Sequence, residues 1–526
     1  MGANTSIAGV QDDMAAEEDR ERIEAVVAAM RAHRSSAEVQ EQGCAAFRRL
    51  AVSDKNATAT ARAGGIEAVV AGMRAHTLIA KVQEKGCLAL CDLAGNVENS
   101  TAIVRVGGIE AVVGGMRAHT SIAEVQMDGC AALVKLSFLN EEIQAAIARA
   151  GGIEALVMGM GAHGSIAGVQ ANGCWALNSL AMNDENTPAI ARAGGIKVVV
   201  AGLRAHRSVA GMQEEGCRAL VNLSLNEENR TAIVRAGGIK AVVAGMRGHT
   251  SIAKVQQQGC RALRDLAAND ENKAAIGRAW GIEAVVAAMG VHTSIPLVQE
   301  RGCMVLSKRA VNEENKTAIS RAGGIEAVVA GMVAHRLSAG VQEQGCRAIR
   351  NLAVNDTYKT ATAGAGGIEV VLAGMRAHTS ISEVQQSGCA ALGNLASNND
   401  EHKTAIARAG DIPAVLAGMG IHRSVSGVQQ KGLWALANLA VNDENKAAIA
   451  SAGGIEAVLV GMGAHMSIAG VQQTGFRALR KLASDSEANR AAIVRAGGIE
   501  AVKAGMAAHT WIMGVENEGE ASAMAF

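Results

Sequence analysis

Apolar positions along this chain follow two periods, one short and one long. Ile325, Val328, Val329 and Met332 fall at i, i+3, i+4 and i+7, the single stripe of an amphipathic helix. Val341, Gly345, Ala348, Ile349, Leu352 and Ala353 make a second stripe, on a longer helix. Ahead of both, Asn312-Glu313-Glu314-Asn315 offers capping oxygens and early acidic groups before Lys316-Thr317-Ala318-Ile319, which predicts a short helix. Gly323 follows Ala322 where a helix end favours a residue without Cβ. One unit is therefore three helices, here named first, second and third.

The long period is the recurrence of that unit. Its Gly-Gly-Ile junction stands at Gly64, Gly107, Gly151, Gly194, Gly237, Gly323, Gly366, Gly453 and Gly497, with edited copies at Trp280-Gly281-Ile282 and Gly410-Asp411-Ile412. Successive junctions are 43 or 44 residues apart, the repeat length of helical solenoids. Single-residue insertions before Gly151, Gly410 and Gly497 are predicted to lie between a third helix and the next first helix, because the junction-to-histidine spacing is constant. Ser121-Ile122-Ala123-Glu124 and Ser380-Ile381-Ser382-Glu383 read as capping boxes opening third helices. Residues 1–20 read as an irregular acidic segment, 21–519 as the solenoid and 520–526 as a frayed tail. The first unit, Ile23 to Leu50, lacks its first helix, and the last is incomplete.

Composition narrows the core and the partners. Hydrophobic residues make up 49% of the chain but aromatics only 2%, so the core is built from Ala, Val, Ile, Leu and Met. No alternating strand pattern is visible, and the class is all-α. Fifty basic residues balance 50 acidic ones, which argues against wholesale binding to nucleic acid. Groove aromatics for stacking RNA bases are also nearly absent. There is no run of about 18 apolar residues and no signal peptide in QDDMAAEEDRER. A cytoplasmic, monomeric protein is expected, with nuclear or membrane-associated fractions as alternatives. Met1-Gly2-Ala3-Asn4-Thr5-Ser6 fits the N-myristoylation pattern, and membrane attachment is expected only if Gly2 is acylated.

Two residue types recur once per unit. Nine cysteines, from Cys44 to Cys389, share one register in the third helices, where Leu433 and Phe476 stand in later copies. They are expected to be buried thiols, since repeats roughly 10 Å apart exceed the reach of a disulfide. Twelve histidines, from His33 to His509, end the second helices and are expected to bond the terminal carbonyls there. Neighbours one repeat apart cannot share a metal ion, so no metal site and no cofactor are expected.

Third-helix text such as Gln342-Glu343-Gln344-Gly345-Cys346-Arg347-Ala348-Ile349-Arg350-Asn351-Leu352-Ala353, followed by the Asn-rich loop and Ala-Gly-Gly-Ile, resembles the armadillo repeat. Asp411-Ile412-Pro413-Ala414-Val415-Leu416 is similar to that family's second-helix opening. The resemblance covers about residues 22–515. It implies an armadillo-type right-handed α-solenoid of about 11–12 three-helix repeats, whose third helices line a concave groove for extended peptides. It further implies an adaptor or scaffold without enzymatic activity. Nuclear-import adaptors of the family carry Trp with Asn one turn later on the third helix. Here Trp434 and Asn438 match, Trp175 is followed by Ser179, and Asn222, Asn351 and Asn394 pair instead with Arg218, Arg347 and Ala390. A transport adaptor, or a lipid-tethered scaffold like the vacuolar member of the family, is the alternative.

Charge in the groove favours the scaffold. Between two and six places after each third-helix glycine stand Arg48, Arg49, Lys135, Arg218, Arg261, Arg264, Lys308, Arg347, Arg350, Arg477, Arg480 and Lys481, against Asp92 and Asp265. These cations, with Asn222, Asn351, Asn394, Trp434 and Asn438, are expected to hold an extended acidic or phosphorylated segment of another protein. The competing reading pairs them with glutamates such as Glu343 in the same helix. No phosphate loop, HExxH or GxSxG is present, and no catalytic residue is assigned.

Overall fold

A computed structural model describes residues 2–51, 53–138, 140–310, 313–397, 410–510 and 512–526, with only the backbone described for 2–16 and 513. All regular structure among the described residues is helical, and the helices follow one another as three-helix repeats. The chain divides into two compact units, Met1–Leu266 and Ala267–Phe526. In the first unit a long helix, Gly2–Ala32, precedes the third helix Ala37–Leu50. Full repeats follow, such as Asp54–Arg62, Gly65–Ala75 and Ala80–Leu93. The second unit runs from Asp270–Arg278, Gly281–Val291 and Pro296–Arg309 to the final helix Met513–Ala523.

The predicted stripes are the buried faces. Ile325, Val328 and Met332 of Gly324–Ala334, and Val341, Ala348, Ile349 and Leu352 of Ala339–Leu352, are all buried. First and second helices meet at 65° in the repeat joining Glu313–Arg321 to Gly324–Ala334. The leading junction glycine makes that corner with positive φ, for example 77° at Gly323. Its partner is there for close approach: a Cβ on Gly108 would lie 2.3 Å from Ile103 Cγ2. Trp280 takes the left-handed conformation, φ 61°, without glycine's freedom.

Within each unit, third helices pack much more tightly on the third helices of adjacent repeats than second helices do on theirs. The third helices therefore line the inner side of each unit's curve, as the resemblance implied. The insertions lengthen not the connections, as predicted from the spacing, but the third helices themselves: Ala123–Ser137, Ser382–Ala396 and Ala469–Ala483 each run one residue longer than the 14-residue third helix Ala339–Leu352.

Three further local expectations need correction. Residues 2–20, read as irregular, are the start of the helix Gly2–Ala32. The proposed capping boxes do not form: the caps are Ile122 and Ile381, without side-chain cap bonds. A backbone turn, with Ile122 N–H bonded to His119 O at 3.0 Å, sets the helix start in place of Ser121. The tail is ordered as far as Ala523, and the buried Ser522 hydroxyl donates to Phe476 O at 2.8 Å. First-helix caps behave as predicted at Asn96 and Asn442, whose side chains accept from the N–H groups of Asn99 and Asn445. Asn312 lies outside the described residues.

Candidate functional site

A groove lined by third helices needs those helices fixed in relation to their neighbours, and two polar ladders do this, a buried one of glutamines and a more exposed one of histidines. Near the start of every third helix but the last, Met513–Ala523, stands a glutamine with almost no exposed surface. Gln342 Nε2 donates to Met332 O at 2.8 Å and to His335 O at 3.0 Å, closing the C-terminus of its own repeat's second helix. Gln83, Gln126 and Gln213 do the same in the first unit. These carbonyls belong to a helix end and have no intrahelical donor, so the glutamine removes a desolvation cost. The oxygen of Gln342 points at Gly374 of the next second helix, where a Cβ would lie 2.5 Å away. Sequence reasoning missed this role, although a Val-Gln or Met-Gln pair recurs in nearly every copy.

The histidines link repeats. From His76 to His249 and from His335 to His509, each caps its second helix, as expected, but its ring reaches backwards to the preceding repeat and not to its own helix end. His76 Nε2 donates to Arg34 O at 2.8 Å, and His378 Nε2 to Arg336 O at 2.9 Å. A carbonyl only accepts, so Nε2 carries the hydrogen. The constant junction-to-histidine spacing reflects this contact.

Asparagines in the predicted groove are also partly committed. Asn222 Nδ2 donates to Asn178 O and Oδ1 at 3.3 and 3.0 Å, Asn351 Nδ2 to Ser307 O at 2.9 Å, and Asn438 Nδ2 to Gly393 O at 2.9 Å. Asn394 Nδ2 donates to Arg350 O. Each amide thus closes the last turn of the preceding third helix, and the oxygen is what Asn222, Asn394 and Asn438 offer to a bound chain, while that of Asn351 accepts from Arg350 Nε.

The cations divide into paired and unpaired sets. Arg218 meets Glu214 at 2.6 Å and Glu215 at 3.4 Å, and Arg347 meets Glu343 at 2.9 Å, the same-helix pairing that competed with the groove reading. Arg264 meets Asp265 at 2.6 Å, Arg48 meets Asp92 at 3.7 Å, and Arg477 and Arg480 share Glu518 at 2.9 and 3.2 Å. The cations of these pairs are more exposed than their carboxylates, and solvent screening on that side keeps such pairs weak, so a competing anion can share the cation. Among the described residues, Arg49, Lys135, Arg261 and Lys481 make no ion pair or hydrogen bond. Trp434 lies half-buried against Gly393, with Lys431 Nζ 5.8 Å from its ring centroid. Gly2 begins the helix Gly2–Ala32, and its surroundings are outside the described side chains.

Buried chemistry elsewhere serves the fold. The nine in-register cysteines are buried, and burial pushes the thiols of Cys44 and Cys217 up to about 12, which keeps them protonated and unreactive. Arg309 is fully buried at the register of Leu352 in the following repeat. Its Nη2 donates to Asn315 Oδ1 at 2.8 Å, and burial lowers its pKa to about 10. Gly277 gives it room, since a Cβ there would lie 2.9 Å from Nη2.

No protein-family model matches the chain, and no curated protein does. Solved structures do. An engineered protein from a structural genomics consortium is 30% identical, with a TM-score of 0.68 over 80% of this chain and 99% of that one. A chain solved in work on a conserved phosphorylation switch controlling the interaction between cadherin and β-catenin has a TM-score of 0.71. It covers 95% of this chain and 98% of that one, at 15% identity. The fold is thus that of helical-repeat solenoids.

Proposed function

We propose that this chain is an armadillo-type scaffold that holds extended, acidic or phosphorylated segments of other proteins along its third helices, without chemistry of its own. One observation carries the reading. On the inner face of a neutral chain, cations are either unpaired, as Arg261 and Lys481 are, or held in pairs whose more exposed cation an incoming anion can share. Arg forks suit carboxylate and phosphate, and the side-chain oxygens of Asn222, Asn394 and Asn438 accept from a peptide's N–H groups. The neighbour from the cadherin and β-catenin work supports a protein partner by fold alone. A cytoplasmic location fits this role.

The test is binding of the full chain to two labelled peptides, alternating Glu-Gly and alternating Lys-Gly. The acidic peptide is expected to bind at low salt and to be lost when Arg261, Arg347 and Arg350 are replaced together by Glu. Unaltered capture by that variant, or a preference for the basic peptide, would remove the proposal and favour transport of basic signals.

A further inference from the structure

Resting on that reading, one section of the groove in the second unit has a chemistry of its own. Three successive third helices, Ala339–Leu352, Ser382–Ala396 and Ser426–Leu439, form it. The middle helix offers small groove positions, Ala390 and Gly393, both buried beneath its neighbours. Trp434 fills the space over Gly393, where a Cβ would lie 2.6 Å from the indole. Lys431, one turn earlier, stands over the same ring. On the other flank Asn394 anchors the carbonyl of Arg350, whose Nε donates to Asn351 Oδ1 at 3.0 Å, an amide oxygen and not a carboxylate.

Arg350 and Lys431 stand on the two helices that pack on either side of Ser382–Ala396, and neither has a carboxylate partner among the described residues. Burial, then the neighbouring Arg347, lowers the Arg350 pKa, and burial, then Arg350, lowers that of Lys431. Carboxylates near this section, Glu343 and Glu383, lie towards Arg347: the first pairs with it and the second bonds Ser382. Two half-desolvated cations held near each other raise the energy of the empty site, and an anion entering between them relieves it. A single carboxylate brings one charge; a phosphorylated serine or threonine brings about −1.5 to −2 and three acceptor oxygens.

We propose that Arg350 and Lys431, with Arg347 at the rim and Trp434 as a flanking wall, form a subsite for one phosphorylated side chain of the bound segment. The guanidinium of Arg350 takes two phosphate oxygens, Lys431 takes the third, and the indole packs on the neighbouring peptide residue.

Three fluorescein-labelled nonapeptide pools, with identical randomised flanks and phosphoserine, glutamate or serine at the centre, are titrated against the full chain by anisotropy. The phosphoserine pool is expected to bind roughly tenfold tighter than the serine pool, about the worth of one charge-assisted hydrogen bond. Lys431→Gln and Arg350→Gln are each expected to erase that preference, and Lys240→Glu, on the exposed face of a second helix, to leave it intact. Equal binding of all pools overturns the subsite and leaves the groove reading standing. So does a preference that survives Lys431→Gln. Failure of every pool to bind overturns both. Circular dichroism of each variant distinguishes a lost contact from a lost fold.

Discussion

At the scale of single residues, the departures from the repeat tell most about energetics. Asp411 occupies the place where Gly324 and Gly454 stand in other copies, and it is completely buried. Neither carboxylate oxygen has a hydrogen-bond partner among the described residues. Burial pushes its pKa up to about 7, with the N–H groups of Ile412 and Asp411 and the charge of Arg376 opposing. The folded state therefore holds a proton that the unfolded state releases near 3.8. Stability from this group is full below the unfolded value and is lost as pH rises through the folded one. The melting temperature is expected to fall from pH 5 to pH 8, by at most about 1.4 kcal/mol of stability per pH unit. Asp411→Gly should flatten the profile and melt higher at pH 8. An unchanged slope in that variant would mean that Asp411 does not carry the proton. The sequence showed the glycine's replacement but not its consequence, because burial of that position depends on the helix packed above it.

Helices and their joints show how far pattern reading reaches. The 3.6-residue stripes and the glycine junctions are local properties, so the helices and their corners were legible from spacing alone. Caps were legible only where the side chain bonds its own helix, as at Asn96. Where the partner belongs to another helix or repeat, the signal was visible but its meaning was not. Ser121 looked like a cap and is none, while the buried glutamines, apparently misplaced polar residues, close the second helices. Gln342→Ala is expected to cost about 1–3 kcal/mol in chemical denaturation, since Met332 O loses its donor and His335 O keeps only the Ser338 N–H. Gly374→Ala should destabilise as well, because its new methyl meets Gln342 Oε1. The double variant should cost less than the sum, the non-additivity of residues sharing one contact. Strict additivity would show that the two positions do not touch.

Across the whole molecule, stability is a sum of repeats and of the contacts between neighbours, and function follows from what those contacts leave uncovered. The His bonds tie each repeat to the one before and the buried Gln bonds hold each third helix to its own second helix, so the groove faces of the third helices are free to diversify. Basic residues in that groove were legible from register. Their carboxylate partners were partly missed, because Glu214, Glu215 and Glu518 precede the glycine and fell outside the stretch considered. Lys431 was missed for the same reason. The central claim is that partners lie along the third helices and are held by charge. It is tested most directly by photo-crosslinking the full chain to the alternating Glu-Gly peptide carrying a central diazirine, with the attachment sites mapped by mass spectrometry. Crosslinks are expected on solvent-accessible third-helix positions such as Trp175 and Trp434, and to fade when Arg261, Arg347 and Arg350 are reversed together. Attachment to exposed second-helix positions such as Met158 or Val460, unchanged by that reversal, would contradict the account.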